Sequence, residues 1–326
     1  MKNKMKKKAL WISTLVILFG VLQILFTTGL LDAYFQRILI MTGINILLAS
    51  GLNLIIGFTG QLALGHAAFM AIGAYGSAVL SVKTGTPFPL ALIAGTVMGG
   101  AAAFLIGYPI LRLKGDYLAI CTLGFGEIVK VAIQNIEAVG AARGFSGIPP
   151  YTTFPWVFFT VVIIYILLKR VADSSYGRTM KAVSEDEIAA EAMGNKAFDY
   201  KMLGFVMGSA VAALAGGLYA HYLMFIDPVS FNFSKSTEIL TFVVLGGIGS
   251  LPGAVAGASI LTILPESLRG LGDVVKDYRM LIYAVIIVIL MVFRPQGIMG
   301  KKGGGVHGDA KSKRFGNQLR RIGRGK

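Results

Sequence analysis

The sequence predicts an all-α, polytopic membrane protein, and three observations carry that prediction. Of its 326 residues, 55% are hydrophobic and only 14% charged, with a mean hydropathy of +0.71. A soluble domain carries about 25% charged residues, so this chain has too few to cover a water-facing surface. Apolar runs of about twenty residues recur, the length that crosses a hydrocarbon core of about 30 Å at 1.5 Å per residue. Lys and Arg collect at the ends of these runs and in two terminal tails, the pattern of an oriented membrane protein. A transmembrane barrel would need alternating segments of about ten residues instead.

Taken in order, the chain opens with a basic cytoplasmic stretch, residues 1–8, followed by a run over 9–31. No A-x-A-like site follows that run, so it reads as an uncleaved span rather than a signal peptide. Further spans are predicted near 36–57, 61–82, 88–111, 117–137, 152–170, 202–224 and 278–294, about eight in all. Between the last two lies 238–268, long and apolar but broken at "LGGIGSLPGA". Glycine and proline cannot continue a helix there. Two pieces near 238–248 and 253–268 are expected, a broken or re-entrant pair hinged on Gly246, Gly247, Gly249, Pro252 and Gly253. Irregular backbone at membrane depth is tolerated only when buried in protein or lining a watery cavity, and an interrupted segment points to a transport path. The membrane domain thus covers 9–299, and 300–326 is a basic tail predicted to be disordered.

With both termini in the cytoplasm, the inside segments 1–8, 112–116, 169–201 and 294–326 hold 23 of the 31 Lys and Arg. The net charge of +15 therefore reads as topology and lipid attraction, and no nucleic acid is expected as a partner.

Several chemistries are excluded. No G-x-x-x-x-G-K-[ST] occurs, so the chain has no P-loop for ATP of its own. "GGIGSLPG" has its third glycine one place late for a dinucleotide loop and lies in an apolar segment. Cys121 is the only cysteine, and His66, His221 and His307 have no metal-ligand spacing, so no bound cofactor or metal is expected. Inside predicted spans, Glu127 and Lys130 lie three apart on one helix face, either locking a helix or facing a polar path. Gln61, His66 and Tyr75 run along the third span among small residues suited to close helix packing. The candidate path residues are Gln61, His66, Tyr75, Thr122 and Glu127.

The stretch "KAVSEDEIAAEAMGNKAFDYK" (181–201) is acidic and alanine-rich, inside a cytoplasmic loop spanning 173–201. Ser184 with Glu187 forms a capping-box pattern, Asp186 and Glu187 suit the first turn, and Gly194 suits the C-terminal cap. A helix over 185–193 is expected, with Ile188, Ala189, Ala192 and Met193 on an apolar face. So short a helix is not stable alone and must dock, which suggests a separate motor subunit.

Four stretches, "GLNLIIGFTGQLALGHAAFMAIGAYGSAVL" (51–80), "LKGDYLAICTLGFGEIV" (113–129), "YGRTMKAVSEDEIAAEAMG" (176–194) and "LGGIGSLPGAVAGA" (245–258), resemble segments of the inner-membrane permeases of branched-chain amino acid ABC importers. Within that family they resemble the type that pairs with a second permease. The resemblance covers roughly 36–299. It implies a non-enzymatic subunit of a bacterial or archaeal cytoplasmic membrane that moves leucine, isoleucine or valine. It also implies four partners: two ABC ATPase subunits carrying ATP-Mg, a second homologous permease and an extracytoplasmic solute-binding protein. On this resemblance Glu187, Ala189, Ala190, Glu191 and Gly194 lie in the ATPase-coupling loop. The outside loop "GAARGFSGIPP" (140–150) departs from the family pattern, with Ser146 where relatives often carry an acidic residue before the final Gly-Ile. An importer permease for urea or short amides, and a self-sufficient ion-coupled carrier or channel, remain as alternatives.

Overall fold

Backbone in lipid must satisfy its own hydrogen bonds, so long apolar runs fold as helices. The computed structural model describes residues 32–113, 115–269 and 297–299, with isolated positions Gln23, Ala284, Val285, Val288, Ile289 and Val292. Apart from those positions, the expected spans 9–31 and 278–294, the stretch 1–8 and the tail 300–326 lie outside the described residues.

Ten α-helices follow one another among the described residues. They are α1 (Ala33–Asn53), α2 (His66–Lys83), α3 (Phe88–Ile110), α4 (Asp116–Asn135), α5 (Phe154–Asp173), α6 (Ser175–Glu185), α7 (Glu187–Ala192), α8 (Ala197–Leu223), α9 (Phe233–Gly246) and α10 (Leu251–Arg269). A π-helical turn, Leu54–Phe58, extends α1. Two of the eight or so expected spans lie outside the described residues. Among the described residues four helices are long and apolar enough to cross a membrane: Ala33–Phe58, Phe88–Ile110, Phe154–Asp173 and Ala197–Leu223. The span expected over 61–82 loses its first residues, because 60–65 is not helical and α2 begins only at His66.

At the centre stands α8, packed against α1, α2 and α3. No hydrophobic force drives helices together in lipid, so packing depends on small residues that let backbones approach. Here they do so directly. A Cβ on Gly73 of α2 would meet the Ala213 backbone of α8, and one on Gly216 would meet the carbonyl of Met70. On the other side, a Cβ on Gly51 of α1 would come within 2.7 Å of the Gly208 carbonyl. Phe205 fills the space between these contacts, fully buried and edge-on to Phe69 at 5.5 Å.

A short antiparallel ladder joins two connections at one end of the bundle. Phe145 pairs with Ile226 and Ser146 with Phe225, so the α4–α5 connection is tied to the α8–α9 connection. Tyr75 adds a bond from α2, its hydroxyl donating to the Ile226 carbonyl at 3.3 Å. The same end holds His221, whose Nε2 lies 2.7 Å from Ser81 Oγ and whose Nδ1 lies 2.9 Å from the Gly217 carbonyl.

The interrupted segment forms a hairpin of α9 and α10. Gly246 and Gly253 face each other so closely that a Cβ on either would strike the other's carbonyl. Gly247 and Gly249, at φ 110 and 79, make the turn, a conformation a side chain resists. Pro252 sits in the first turn of α10, where its missing N–H costs nothing. Residues 297–299 return to this tip: Ile298 N donates to the Leu245 carbonyl at 2.8 Å and Met299 N to that of Gly246 at 3.0 Å.

These contacts give a direct test. Gly73→Val is expected to lower stability by about 1–3 kcal/mol, the usual cost of overpacking. Gly124→Ala on α4, where a Cβ meets nothing within 4 Å, is expected to be neutral. Thermal unfolding of the two variants in detergent distinguishes them.

Candidate functional site

Two groups of residues are candidates, one on the helices between α5 and α8 and one inside the bundle. The first is built by caps. Ser174 ends α5 and its hydroxyl accepts from Gly177 N at 3.3 Å, starting α6. Met180 and Val183 anchor α6 by burial. The expected cap at Ser184 is corrected: Ser184 lies within α6 and donates to the Lys181 carbonyl at 2.8 Å. Asp186 is the cap instead. Its backbone is extended and its carboxylate accepts from Ile188 N at 2.9 Å and Ala189 N at 3.0 Å. The helix expected over 185–193 is therefore α7, Glu187–Ala192, separated from α6 by a one-residue break.

The end of α7 closes as a Schellman motif. Gly194 N donates to the Glu191 carbonyl at 2.9 Å and Asn195 N to that of Ala190 at 3.2 Å, with Gly194 at φ +84. Ala190 is buried against Val183 and Ala197, and Glu187 pairs with Lys201 at 2.7 Å. These contacts fix α7 to α6 and α8. The rest of α7 faces outward: Ile188 is 79% exposed and Met193 83%, and Ala189, Glu191, Ala192 and Gly194 are exposed with them. Beside its C-terminus, Tyr176, Asn195, Lys196, Asp199 and Tyr200 line a shallow cleft.

The second group divides. Thr122 on α4 is buried and holds the loop before α2: its Oγ1 accepts from Leu64 N at 3.0 Å and donates to the Ala119 carbonyl at 2.9 Å. Gln61 and His66 flank that loop, 3% and 1% exposed. Neither amide atom of Gln61 has a hydrogen-bond partner among the described residues. The ring of His66 lies beside the Leu48 backbone, yet neither nitrogen makes a hydrogen bond of ordinary geometry. Tyr75 stands further along α2 at the ladder end, away from these three. Glu127 lies elsewhere again, paired with Lys130 on a partly exposed face of α4. The structure thus brings Gln61, His66 and Thr122 to one loop and separates Tyr75 and Glu127 from it. Among the described residues, no three His, Cys, Asp or Glu side chains group as metal ligands would.

Sequence reasoning missed Asn53 and Lys181. Asn53 is fully buried and its Oδ1 accepts from Gly249 N at 2.8 Å. Lys181 Nζ lies 4.5 Å from the centre of the Phe58 ring. A lone Asn inside "GLNLIIG" was the available signal for the first. Nothing in the spacing marked the second.

Residues 34–291 match the family model described as the permease component of branched-chain amino acid transport systems. The chain is 35% identical over 266 residues to the high-affinity branched-chain amino acid transport system permease protein LivM of Escherichia coli K12, covering 71% of this chain and 62% of LivM. It is 30% identical over 204 residues to LivH of the same organism, covering 62% of each. It is 25% identical over 240 residues to the probable LivM of Methanocaldococcus jannaschii, covering 65% of this chain and 68% of that one. The match to E. coli LivM thus spans less than two thirds of that relative's length. A solved chain of PsaBC from Streptococcus pneumoniae in complex with Fab aligns with 82% of this chain and 94% of its own, at 17% identity and a TM-score of 0.44. With most of its length matched by the family model, the chain belongs to the branched-chain amino acid transport system permease family.

Proposed function

We propose that the chain is the permease subunit of an ATP-driven importer of branched-chain amino acids, set in a bacterial or archaeal cytoplasmic membrane. The observation that carries the reading is α7. It is a six-residue helix capped at both ends, braced on α6 and α8, with Ile188 and Met193 turned outward. Such a helix is not stable alone, and the chain has no ATP-binding loop. Its exposed apolar residues suit docking into a groove of a separate ATPase. The names of the relatives supply the substrate class.

In this reading, the end bearing α6, α7 and the hairpin tip is cytoplasmic, as are both termini. Two ABC ATPase subunits close on ATP-Mg and displace α7. The displacement enters α8 through the Ala190 contact and the Glu187–Lys201 pair. It then passes to α1, α2 and α3 through close backbone contacts, which shift as units because packed helices have discrete arrangements. An extracytoplasmic binding protein delivers leucine, isoleucine or valine to the ladder end. The Glu127–Lys130 pair supports α4 as the face against a second, homologous permease, since an ion pair turned to lipid is costly.

Two outcomes are expected. In proteoliposomes, labelled leucine uptake should require ATP, the ATPases, the second permease and the binding protein together. Uptake by this chain alone that follows the proton gradient would overturn the reading, and uptake of urea in place of leucine would change the substrate. Glu191→Lys is expected to leave the chain in the membrane and hydrolysis measurable while uptake per ATP falls about tenfold, the effect of about 1.4 kcal/mol lost in coupling. Unchanged uptake per ATP would remove α7 from the coupling role.

A further inference from the structure

The π-helical turn Leu54–Phe58 is where three parts of the molecule meet. Single π-turns inside α-helices are rare and concentrate at functional positions. This one changes the course of α1 so that Thr59 Oγ1 and Gln61 N both turn back to the Ile55 carbonyl, at 2.6 and 3.3 Å. On one side it meets α6. Lys181 Nζ stands over the Phe58 ring at 4.5 Å, and a Cβ on Gly60 would lie 3.1 Å from that of Ser184. On the other side it meets the hairpin tip. Asn53 Oδ1 takes the Gly249 N–H at 2.8 Å, and Gly57 lies against the Gly249 backbone so tightly that a Cβ would not fit. The tip in turn holds residues 297–299 through Leu245 and Gly246.

We propose that this turn is the joint that couples α6 to the α9–α10 hairpin, with Asn53 and Lys181 as its positioning residues. This deepens the importer reading and rests on it. It supplies a second route out of the docking helices. Through α8 they act on the bundle; through the joint they act on the interrupted segment of α9 and α10. The asymmetry of Asn53 supports the assignment. Its Oδ1 makes the bond to Gly249, while its Nδ2 has no hydrogen-bond partner among the described residues. A buried amide that uses only its acceptor is there to hold Gly249, and an acid of the same shape, protonated by burial, keeps that acceptor. Gly249, at φ +79, presents its N–H in a turn that has no helical partner to offer it. Lys181 reaches across the aromatic face rather than to a carboxylate, an attraction that tolerates small shifts of the ring while keeping α6 and α1 together.

The test measures uptake and ATP hydrolysis together, on the assembled complex in proteoliposomes. Asn53→Ala leaves the buried Gly249 N–H without an acceptor and is expected to lower uptake per ATP about tenfold with hydrolysis retained. Asn53→Asp, which keeps the acceptor, is expected to restore most of it. Lys181→Gln, at a half-buried position, is expected to lower uptake per ATP about twofold. Because the two residues act in series, the double variant should be no worse than Asn53→Ala alone. A purely structural role would reduce assembly, hydrolysis and uptake in parallel. Should Asn53→Ala fail to assemble, Lys181→Gln decides. Wild-type uptake per ATP in Lys181→Gln, or losses that multiply in the double variant, would overturn the joint. A wild-type complex showing no ATP-driven uptake would instead bring down the importer reading, and the joint with it.

Discussion

Everything in this molecule depends on backbone meeting backbone at the centre of the bundle. Gly73 against Ala213, Gly216 against Met70, and Gly51 against Gly208 bring α1 and α2 onto opposite sides of α8 with no side chain between them. In lipid this is the available way to gain dense packing, because hydrocarbon outside is as apolar as the core inside. The arrangement sets where α1 ends and α2 begins, and so where the irregular chain over 59–65 must run. It also makes α8 a rigid post. Whatever displaces the start of α8 displaces its neighbours too, since contacts this close cannot slide without clash.

That rigidity explains the layout at the end of the bundle where α6 and α7 lie. The helix α7 is small and marginal by itself, and it gains stability from caps and from a few contacts on α6 and α8. Its outward residues, Ile188 and Met193 among them, are exposed. Next to it, four separate chain segments converge: the π-turn of α1, the end of α6, the hairpin tip and residues 297–299. The opposite end is held by polar and aromatic contacts instead. His221 joins Ser81 and the Gly217 carbonyl, with the Phe88 ring centre 5.0 Å away, and the two-strand ladder closes over them. The two ends thus differ: backbone segments pack directly on one another at one, and polar and aromatic contacts hold the connections at the other.

Much of this was legible in the sequence, and the exceptions have physical causes. Hydropathy gave the membrane class, and glycine with proline marked the break in 238–268, which the structure sets at Gly247–Ser250. The docking helix was visible through its cap chemistry, but the cap was assigned to the wrong acceptor. Ser184 and Asp186 both suit an N-cap. Burial of Met180 and Val183 carries α6 through Ser184, so Asp186 is the first residue free to turn extended. The path candidates show the same limit. Polarity in an apolar run says that a group must be satisfied, not by what. Tyr75 and Thr122 are satisfied inside the chain, by partners 151 and 58 residues away, and no local pattern reveals such distances. The span expected over 61–82 rested on run length, which cannot register that residues before His66 leave the helix.

The account's central claim is that α6, the π-turn and the hairpin tip move as one body when the ATPases close. It is tested most directly by paired spin labels at Ala182 on α6 and Ile248 at the tip, both exposed. A third label belongs on Ile93 of α3, which is also exposed. Pulsed electron resonance on the assembled complex, with and without ATP, gives the distances. The account predicts an unchanged Ala182–Ile248 distance while both change against Ile93. A changed Ala182–Ile248 distance, with Ile248 fixed against Ile93, would contradict it.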